Sequence, residues 1–447
     1  MRLFLLFFIL IYGDVVISQQ MLSASQAKAD LNQMVELVKQ VHYNPFFLSD
    51  SNSFNNLHRF SLKRISQKDS MSITSFTLIS MQLLAVINDA HTSINVVSPS
   101  LVPGLLKSDF FNLKLKFTNN EQIIVTSGPD SGKAIKSINE IVSNQLFTES
   151  IGCYGGNFNF RREITQSMFF PVFLHLEEIH SPFKIQYTDG SSAILKKGSN
   201  IQDLLASNGN DKPDYSFTIV KGDIGYMDYN RCIDPYKFAD FLQKTFQAIN
   251  EKGIHKLIID IRKNSGGNSA LNDMLLAYIT QIPYRQSGTR YWKVSDIFKD
   301  KITEPEYKSM WGKRFVKQYR RAQTGSILKE DQYSLIQPKK VTNYFDGEVC
   351  LLIGPQTFSS ANFLADAVAT YSLFPLIGKS TGENTNDFGE QITIPLNNSQ
   401  LELQVSIAYD IGADGDVNRI ETVAPTIYSE GDALDFAINW LLNKENN

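Results

Sequence analysis

Cysteine is scarce in this chain of 447 residues, which contains only Cys153, Cys232 and Cys350. The three are far apart and odd in number, and no two have the close spacing of a metal-binding pair. These features exclude a disulfide-rich fold and a cysteine-based metal site. Cys350 lies in an apolar run and is expected to be a small core residue. A disulfide between Cys153 and Cys232 stays open.

The chain also lacks a strong charge of either sign. Its 43 lysine and arginine residues nearly balance 46 aspartate and glutamate residues, which leaves a net charge of −3. This balance gives no reason to expect a nucleic acid or an anionic membrane surface as a partner. The six histidines never form an HExxH pattern, so we expect no catalytic metal and no other cofactor.

The sequence has no apolar run of the roughly 20 residues that a membrane-spanning helix needs. At the N-terminus, Arg2 precedes a short apolar stretch, and small and polar residues follow as far as Gln19. This layout is typical of a secretory signal peptide, and a buried core helix is the alternative interpretation. We therefore expect residues 1–19 to be a signal peptide and the protein to be periplasmic, cell-surface or extracellular.

The length leaves room for two or three domains at about 150 residues each. Apolar residues with helical spacing predict an N-terminal helical segment over residues 20–97. Apolar residues that recur at nearly every second position predict a small β-rich module over residues 98–205. From residue 206 to 447, apolar strands alternate with helices, which indicates a mixed α/β core with parallel strands and right-handed crossover helices.

Three polar turns that contain glycine follow apolar strands of this core. They are Asn264–Asn268, Gly354–Ser360 and Gly378–Gly389. Active sites of layered α/β folds gather at the C-terminal ends of the strands. The sequence therefore predicts that these turns share one edge of the sheet.

The turn GPQTFSSAN, residues 354–362, places Ser359 and Ser360 between a buried strand and a helix. In the simpler interpretation, a serine at this point caps the helix by accepting a backbone hydrogen bond. In the other, Ser359 is a nucleophile, and the helix N-terminus and the N–H of Ser360 stabilise the oxyanion that it forms. Local sequence alone leaves both interpretations open.

Two further motifs have the same ambiguity. Gly266-Gly267 is either an ordinary turn or a glycine pair that lets a backbone N–H approach a substrate carbonyl. His91 lies between Ala90 and Thr92. It is either a hydrogen-bonded turn residue or a general base, a role that suits an imidazole because it titrates near neutral pH.

Taken together, these motifs resemble those of a known family. Asn-Asp-Ala-His-Thr at 88–92, Asp-Ile-Arg-Lys-Asn-Ser-Gly-Gly at 260–267 and Thr-Phe-Ser-Ser-Ala at 357–361 occur in the family's order. The chain is similar to the S41 serine peptidases, which include C-terminal processing proteases, the tricorn core and the interphotoreceptor retinoid-binding protein modules.

The resemblance implies a ClpP/crotonase-like layered core in which Ser359 is the nucleophile. It also implies an oxyanion hole formed by the N–H groups of Ser360, Gly266 and Gly267. Residues 100–200 would take the place of a PDZ-like domain. There the strand that leads to the usual Asn-Gly turn resembles residues 136–141, with Glu140 in place of the glycine.

The identity of the general base follows from one departure from the family pattern. Processing proteases use a lysine at a position that is Asn384 here, and an amide cannot act as a base. The tricorn-like branch uses a histidine, and His91 matches its motif. We therefore predict His91 as the base, with Lys379 as the fallback. Glu383 and Glu390 are candidates to support the histidine, although solvated loop acids are the simpler interpretation.

The sequence thus predicts an exported serine-type endopeptidase that acts on peptide or protein substrates through an acyl-enzyme. The alternative is a catalytically weak or inactive S41-like protein that binds peptides or small apolar ligands. An esterase is a third option, because the same acyl chemistry serves it.

Overall fold

The computed structural model describes residues 20–207, 212–331 and 334–443, so the predicted signal peptide lies outside the described residues. The fold is mixed α/β, with helices and several sheets, as predicted. No helix within the described ranges combines the length and apolar character needed to cross a bilayer.

A six-stranded sheet forms the centre of the C-terminal half. In spatial order its strands are Tyr215–Lys221, Ile224–Tyr229, Lys256–Asp260, Glu348–Ile353, Leu376–Gly378 and Ile427–Tyr428. The first pair is antiparallel and every later pair is parallel. All five residues of Lys256–Asp260 are buried, because helices cover both faces of the sheet.

The helices that cover this central sheet form two layers. One layer consists of Pro235–Glu251, Ala270–Ile279 and Ser360–Thr370, and Ala433–Asn443 lies on the opposite face. In Pro235–Glu251, the buried side chains recur every three or four residues, at Phe238, Leu242, Phe246 and Ile249. This spacing gives the helix one apolar face toward the sheet.

A second sheet is entirely antiparallel. It contains Ile327–Asp331, Thr289–Lys293, Glu402–Ile411 and Asp387–Pro395 in that order, and Ser93–Ile94 also pairs with Glu402–Ile411. Leu403 is paired with Ile94, and Gln404 with Ser93. This pairing carries the turn that contains His91 from the N-terminal region onto a strand of the C-terminal half.

The N-terminal region is helical, as its spacing predicts. Its helices are Ala24–Val41, Ser51–Ser66 and Ile73–Ala85, and two short strands, Met21–Ser23 and Ser70–Ser72, pair beside them. Ser23 and Gln26 form a capping box that starts the first helix. The fully buried carboxylate of Asp30 accepts the backbone N–H groups of Asn398 and Ser399, which joins this region to the second sheet.

The middle module contains more helix than its sequence pattern predicts. Its strands are Leu115–Phe117 and Ile123–Val125 in one pair, and Ile141–Val142, Ile135–Ile138, Phe183–Tyr187 and Ser192–Leu195 in a four-stranded sheet. A helical run interrupts them: Ser143–Ile151, Phe158–Ile164, the π-helix Thr165–Phe169 and Phe170–Leu176. Its apolar residues pack into the same core as the strands, so a prediction based on alternation alone missed it. The PDZ-like character of the module stays a prediction.

Shorter elements complete the described chain. The helices are Val102–Lys107, Ile201–Ser207, Asp296–Lys301, Pro305–Met310 and Lys313–Arg321.

All three cysteines are buried free thiols, so Cys153 and Cys232 do not pair. Cys153 donates to the backbone oxygen of Glu149, whereas Cys232 lies 3.6 Å from Asn264 Oδ1. Burial raises the pKa of Cys232 to about 11. Cys350 is a core residue of the central sheet, as expected.

Candidate active site

Ser359 lies at a sharp turn between the strand Glu348–Ile353 and the helix Ser360–Thr370. Its backbone has φ 53° and ψ −126°, a conformation that costs a non-glycine residue free energy. Strained strand-to-helix turns of this kind project a nucleophile from the end of a strand in the α/β-hydrolases. In this helix the Ser359 hydroxyl makes no capping hydrogen bond, so the capping interpretation does not describe the structure.

Hydrogen bonds hold the serine turn against the neighbouring strand. The fully buried hydroxyl of Thr357 donates to the Ile261 carbonyl at 2.9 Å and accepts the Gly354 N–H at 3.0 Å. The Phe358 N–H donates to the Asn264 carbonyl at 3.0 Å. The turn that carries Ser359 is therefore fixed beside the turn that carries the two glycines.

Both residues of the glycine pair have to be glycine for steric reasons. A Cβ on Gly266 would lie 2.6 Å from Ser359 Cβ and 2.9 Å from the Ser360 nitrogen. A Cβ on Gly267 would lie 2.3 Å from the Cys232 carbonyl oxygen. With φ of 91° and 133°, both also occupy conformations that favour glycine. The pair thus brings its backbone directly against Ser359.

The backbone donors at this point are not equivalent. The Gly266 N–H donates to Asn264 Oδ1 at 2.9 Å and is therefore already engaged. Within the part of the chain that the structure describes, the N–H groups of Gly267 and Ser360 have no acceptor. The Ser360 hydroxyl donates to the Gly267 carbonyl at 2.6 Å, which joins the two turns that carry these free donors.

His91 lies beside the serine turn. Its ring packs against Phe358, the residue before Ser359, with centroids 4.6 Å apart, and Phe160 stacks on Phe358 at 4.8 Å. The His91 side chain is 11% exposed. Its Nδ1 atom lies 3.4 Å from Glu383 Oε1 and 3.9 Å from Asp89 Oδ1.

Glu383 connects the histidine to the serine turn. One carboxylate oxygen faces His91 Nδ1, and the other accepts the backbone N–H of Ser359. The preceding Gly382 donates its N–H to the Thr357 carbonyl at 3.1 Å, which brings the Glu383 loop to this turn. Burial raises the pKa of Glu383 well above its usual range, and the charge of Asp387 raises it further. Burial likewise raises the pKa of Asp387 to about 8.

Burial lowers the pKa of His91, although the charges of Asp89 and Asp410 act in the opposite direction. Burial therefore favours a neutral imidazole. A neutral imidazole can accept a proton, which is what a general base has to do.

Lys379 and Glu390 lie in other surroundings. The Lys379 side chain is exposed, whereas a lysine that acts as a general base is desolvated. Glu390 is paired with Arg290 at 2.6 Å, and the same arginine holds Asp410. At Asn384, where the sequence resemblance predicts the loss of a catalytic lysine, the backbone carbonyl accepts from the Asn362 amide at 2.7 Å.

Sequence reasoning missed two groups next to this site. Asp89 lies in the histidine motif, where the sequence predicts no role for it, yet its carboxylate accepts the His91 backbone N–H at 2.8 Å. His42 is the second group, and its Nε2 lies 3.0 Å from Asp89 Oδ2. The position of Asp89 two residues before His91 was an available signal for the first. No sequence pattern links His42 to the site.

Comparisons with known proteins agree with the motifs. Residues 223–429 match the model of peptidase family S41. The structure of mature CPAF complexed with lactacystin is similar, with a TM-score of 0.60, 13% identity, and coverage of 94% of this chain and 97% of that chain. A second structure of mature CPAF has a TM-score of 0.56, 13% identity, and coverage of 94% and 96%.

The photosystem II D1 C-terminal processing protease has a TM-score of 0.44, 14% identity, and coverage of 91% of this chain and 94% of that chain. A search of curated proteins found no match. The likeness to CPAF shows a shared fold. The family match shows that the sequence of the core is similar as well. The resemblance of this chain to the S41 serine peptidases is therefore confirmed, with residues 223–429 matching peptidase family S41.

Proposed function

We propose that this protein is an exported serine-type endopeptidase in which Ser359 is the nucleophile and His91 the general base. Glu383 supports the histidine, and the N–H groups of Ser360 and Gly267 form the oxyanion hole. The predicted N-terminal signal peptide supports export. The family match to a peptidase supports peptide-bond hydrolysis.

One observation carries the proposal: the Glu383 carboxylate contacts both halves of the suggested catalytic pair. It accepts the Ser359 N–H with one oxygen and faces His91 Nδ1 with the other, at 3.4 Å. An acid that faces one ring nitrogen of a histidine leaves the other nitrogen available to the nucleophile, as in a serine triad. A separation that is long for a hydrogen bond is common in unliganded sites and shortens when substrate binds.

The chemistry follows from these positions. His91 takes the hydroxyl proton of Ser359 as the serine oxygen forms a bond to the substrate carbonyl carbon. The Ser360 and Gly267 N–H groups stabilise the negative charge on the carbonyl oxygen. The imidazolium then returns its proton to the leaving amine, the C–N bond breaks, and an ester to Ser359 remains. A water molecule, deprotonated by His91, cleaves that ester and regenerates the serine.

The backbone geometry of Ser359 supports a functional role for this residue. A positive φ at a non-glycine residue costs about 1–3 kcal/mol and persists where the surrounding structure imposes it. Residues held in such conformations cluster at active sites, ligand clamps and switch regions. Here the neighbouring glycine turn, Thr357 and Glu383 all fix the Ser359 backbone.

Acylation by a fluorophosphonate probe tests the nucleophile directly. We expect the wild-type protein to be labelled once per chain and Ser359→Ala to be unlabelled. Ser127→Ala, which changes an exposed serine in a loop, is the matched control and should label like wild type. Circular dichroism would verify that all three proteins are folded. Labelling of a folded Ser359→Ala protein at the wild-type rate would rule out Ser359 as the nucleophile.

Peptides blocked at both ends separate endopeptidase activity from the other options. We expect the wild-type protein to cleave such peptides and Ser359→Ala to leave them intact. Hydrolysis of simple esters without peptide cleavage would indicate an esterase, and peptide binding without turnover would indicate a binding protein.

A further inference from the structure

Asp89 is a fully buried carboxylate with four donors around it. Its Oδ1 accepts the His91 backbone N–H at 2.8 Å. Its Oδ2 accepts from three donors: His42 Nε2 at 3.0 Å, Ser406 Oγ at 2.7 Å and the Thr92 hydroxyl. These donors come from the end of an N-terminal helix, from the histidine turn and from a strand of the second sheet. A charge buried to this degree is tolerated only with such a set of partners.

Two hydrogen bonds fix the tautomer of the His42 ring. Its Nδ1 accepts the Asn44 backbone N–H at 3.2 Å, so the ring proton is on Nε2 and points at Asp89. The His42 side chain is 0% exposed, and its ring packs against Phe388 at 4.5 Å. The ring therefore has one orientation, which is set by contacts on both nitrogens and on its face.

The same network locks the histidine turn onto the strand Glu402–Ile411. The Ser406 hydroxyl donates to Asp89, and the Ser406 N–H donates to the Thr92 hydroxyl at 3.2 Å. Gly155 packs on the other side of the turn, where a Cβ would lie 2.4 Å from the Asp89 carbonyl oxygen. The backbone that carries His91 is thus held by Asp89 from within the core.

We propose that Asp89, oriented by His42, is the positioning residue of the general base: it fixes the His91 segment and places a permanent negative charge beside the ring. The proposal rests on the function proposed above. Asp89 acts through His91 and does not touch the substrate. Because its Oδ1 lies 3.9 Å from His91 Nδ1, the charge favours the imidazolium that forms when Ser359 loses its proton.

The electrostatics of the network agree with this role. Burial alone would raise the pKa of Asp89, but the His42 hydrogen bond, the rings of His42 and His91 and the Thr92 hydroxyl lower it to about 2. Asp89 is therefore ionised at any pH at which a serine peptidase works. The other titratable groups that face His91 are Glu383 and Asp410, with Asp387 beside Glu383.

Asp89→Asn tests the proposal, because it keeps the size of the side chain and removes the charge. We expect kcat for a blocked peptide to fall by about 10²-fold with little change in KM. The reason is that His91 is displaced and its imidazolium loses the nearby negative charge in the reacting complex. We also expect the acid limb of the kcat/KM profile to move to lower pH, because the Asp89 charge raises the pKa of His91. Asp30→Asn, which changes an equally buried, hydrogen-bonded carboxylate outside the site, should lower stability without moving that limb.

If Asp89→Asn folds poorly, variants of His42 and Ser406 test the same positioning role, because both side chains donate to Asp89. His42→Gln offers an N–H donor to Asp89 and should retain most of the activity, whereas His42→Phe removes the donor and should lose about 10-fold or more in kcat. Ser406→Ala removes one neutral donor and should lower kcat, with KM unchanged, by less than His42→Phe.

The two proposals fail in different ways. If the wild-type protein neither cleaves peptides nor is labelled by the fluorophosphonate probe, the proposed function itself is wrong. An active wild-type protein whose folded Asp89→Asn, His42→Phe and Ser406→Ala variants keep the wild-type kcat and pH profile would overturn the positioning role alone.

Discussion

At the residue scale, the proposed active site depends on glycine at the point where the backbone of one turn meets the nucleophile of another. Gly266→Ala would place a methyl group 2.6 Å from Ser359 Cβ, in a backbone conformation that already disfavours a side chain. We expect this variant to lose about 10²-fold or more in kcat, because Ser359 and the Ser360 N–H have to move together. Peptide hydrolysis under saturating substrate measures the loss.

Gly104→Ala is the matched control for that substitution. Gly104 lies in a helix with ordinary φ, and a Cβ there would meet nothing within 4 Å. It should behave like wild type. A fully active Gly266→Ala protein would mean that Ser359 is not held against the glycine turn during catalysis.

The pH dependence of activity also belongs to the residue scale. Burial lowers the pKa of His91 below 6.5, and protonation of the ring removes the base. Activity should therefore be lost as pH falls, with a midpoint of kcat/KM below 6.5 rather than above it. Initial rates between pH 4 and 8, measured on protein shown to stay folded, give this midpoint. A midpoint above 6.5 would contradict a buried neutral imidazole as the base.

Single residues were predictable where a motif fixes their role. Ser359, His91 and the glycine pair could be proposed from sequence because each stands in a short motif at the end of a predicted element. His42 could not, because its link to the site is a hydrogen bond to Asp89 across 47 residues of sequence. Gly266 was predicted as an oxyanion donor, yet its N–H is bound by the Asn264 side chain, a local contact that spacing does not show.

At the element scale, the side chain of Asn264 holds the glycine turn against the end of the strand Ile224–Tyr229. It is fully buried, donates to the Tyr229 carbonyl at 2.9 Å, and accepts the Gly266 N–H with its side chain. Asn264→Ala leaves both groups without partners, which should lower the free energy of unfolding by about 1–3 kcal/mol or more and reduce kcat. Urea unfolding and peptide hydrolysis measure the two effects.

Asn52→Ala, an exposed substitution in the helix Ser51–Ser66, is the control for Asn264→Ala. It should leave stability within about 0.5 kcal/mol of wild type. Equal unfolding midpoints for the two variants would show that the side chain of Asn264 does not hold the glycine turn in place.

Elements were predictable where their periodicity is strong. The helix Ala24–Val41 lies in the predicted helical segment 20–97. The strand Ile224–Tyr229 and the helix Ala270–Ile279 lie where strands and helices are predicted to alternate. The helical run from Ser143 was missed because apolar residues on both sides of it alternate with a strand-like period. At the hairpin before this run, Asn139 and Glu140 both have positive φ, so the turn forms although glutamate replaces glycine.

At the scale of the whole molecule, the site exists only because distant segments share one core. One apolar cluster includes the N-terminal helices, the middle module and the strand Glu402–Ile411. Pairing of Ser93–Ile94 with that strand then places His91 next to the serine turn. The order of the motifs along the sequence predicts that they meet in one site. It does not predict that His91 reaches this site on the antiparallel sheet, whereas Ser359 follows a strand of the six-stranded sheet.

The most direct test of the account is therefore a double-mutant cycle between the two ends of this arrangement. kcat/KM for a blocked peptide would be measured for wild type, Ser359→Ala, His91→Ala and the double variant, each shown to be folded. Residues that act as one catalytic unit are strongly non-additive, so either single substitution should cost nearly as much as both together. Losses that multiply in the double variant would show that His91 and Ser359 act independently, which would contradict a shared active site.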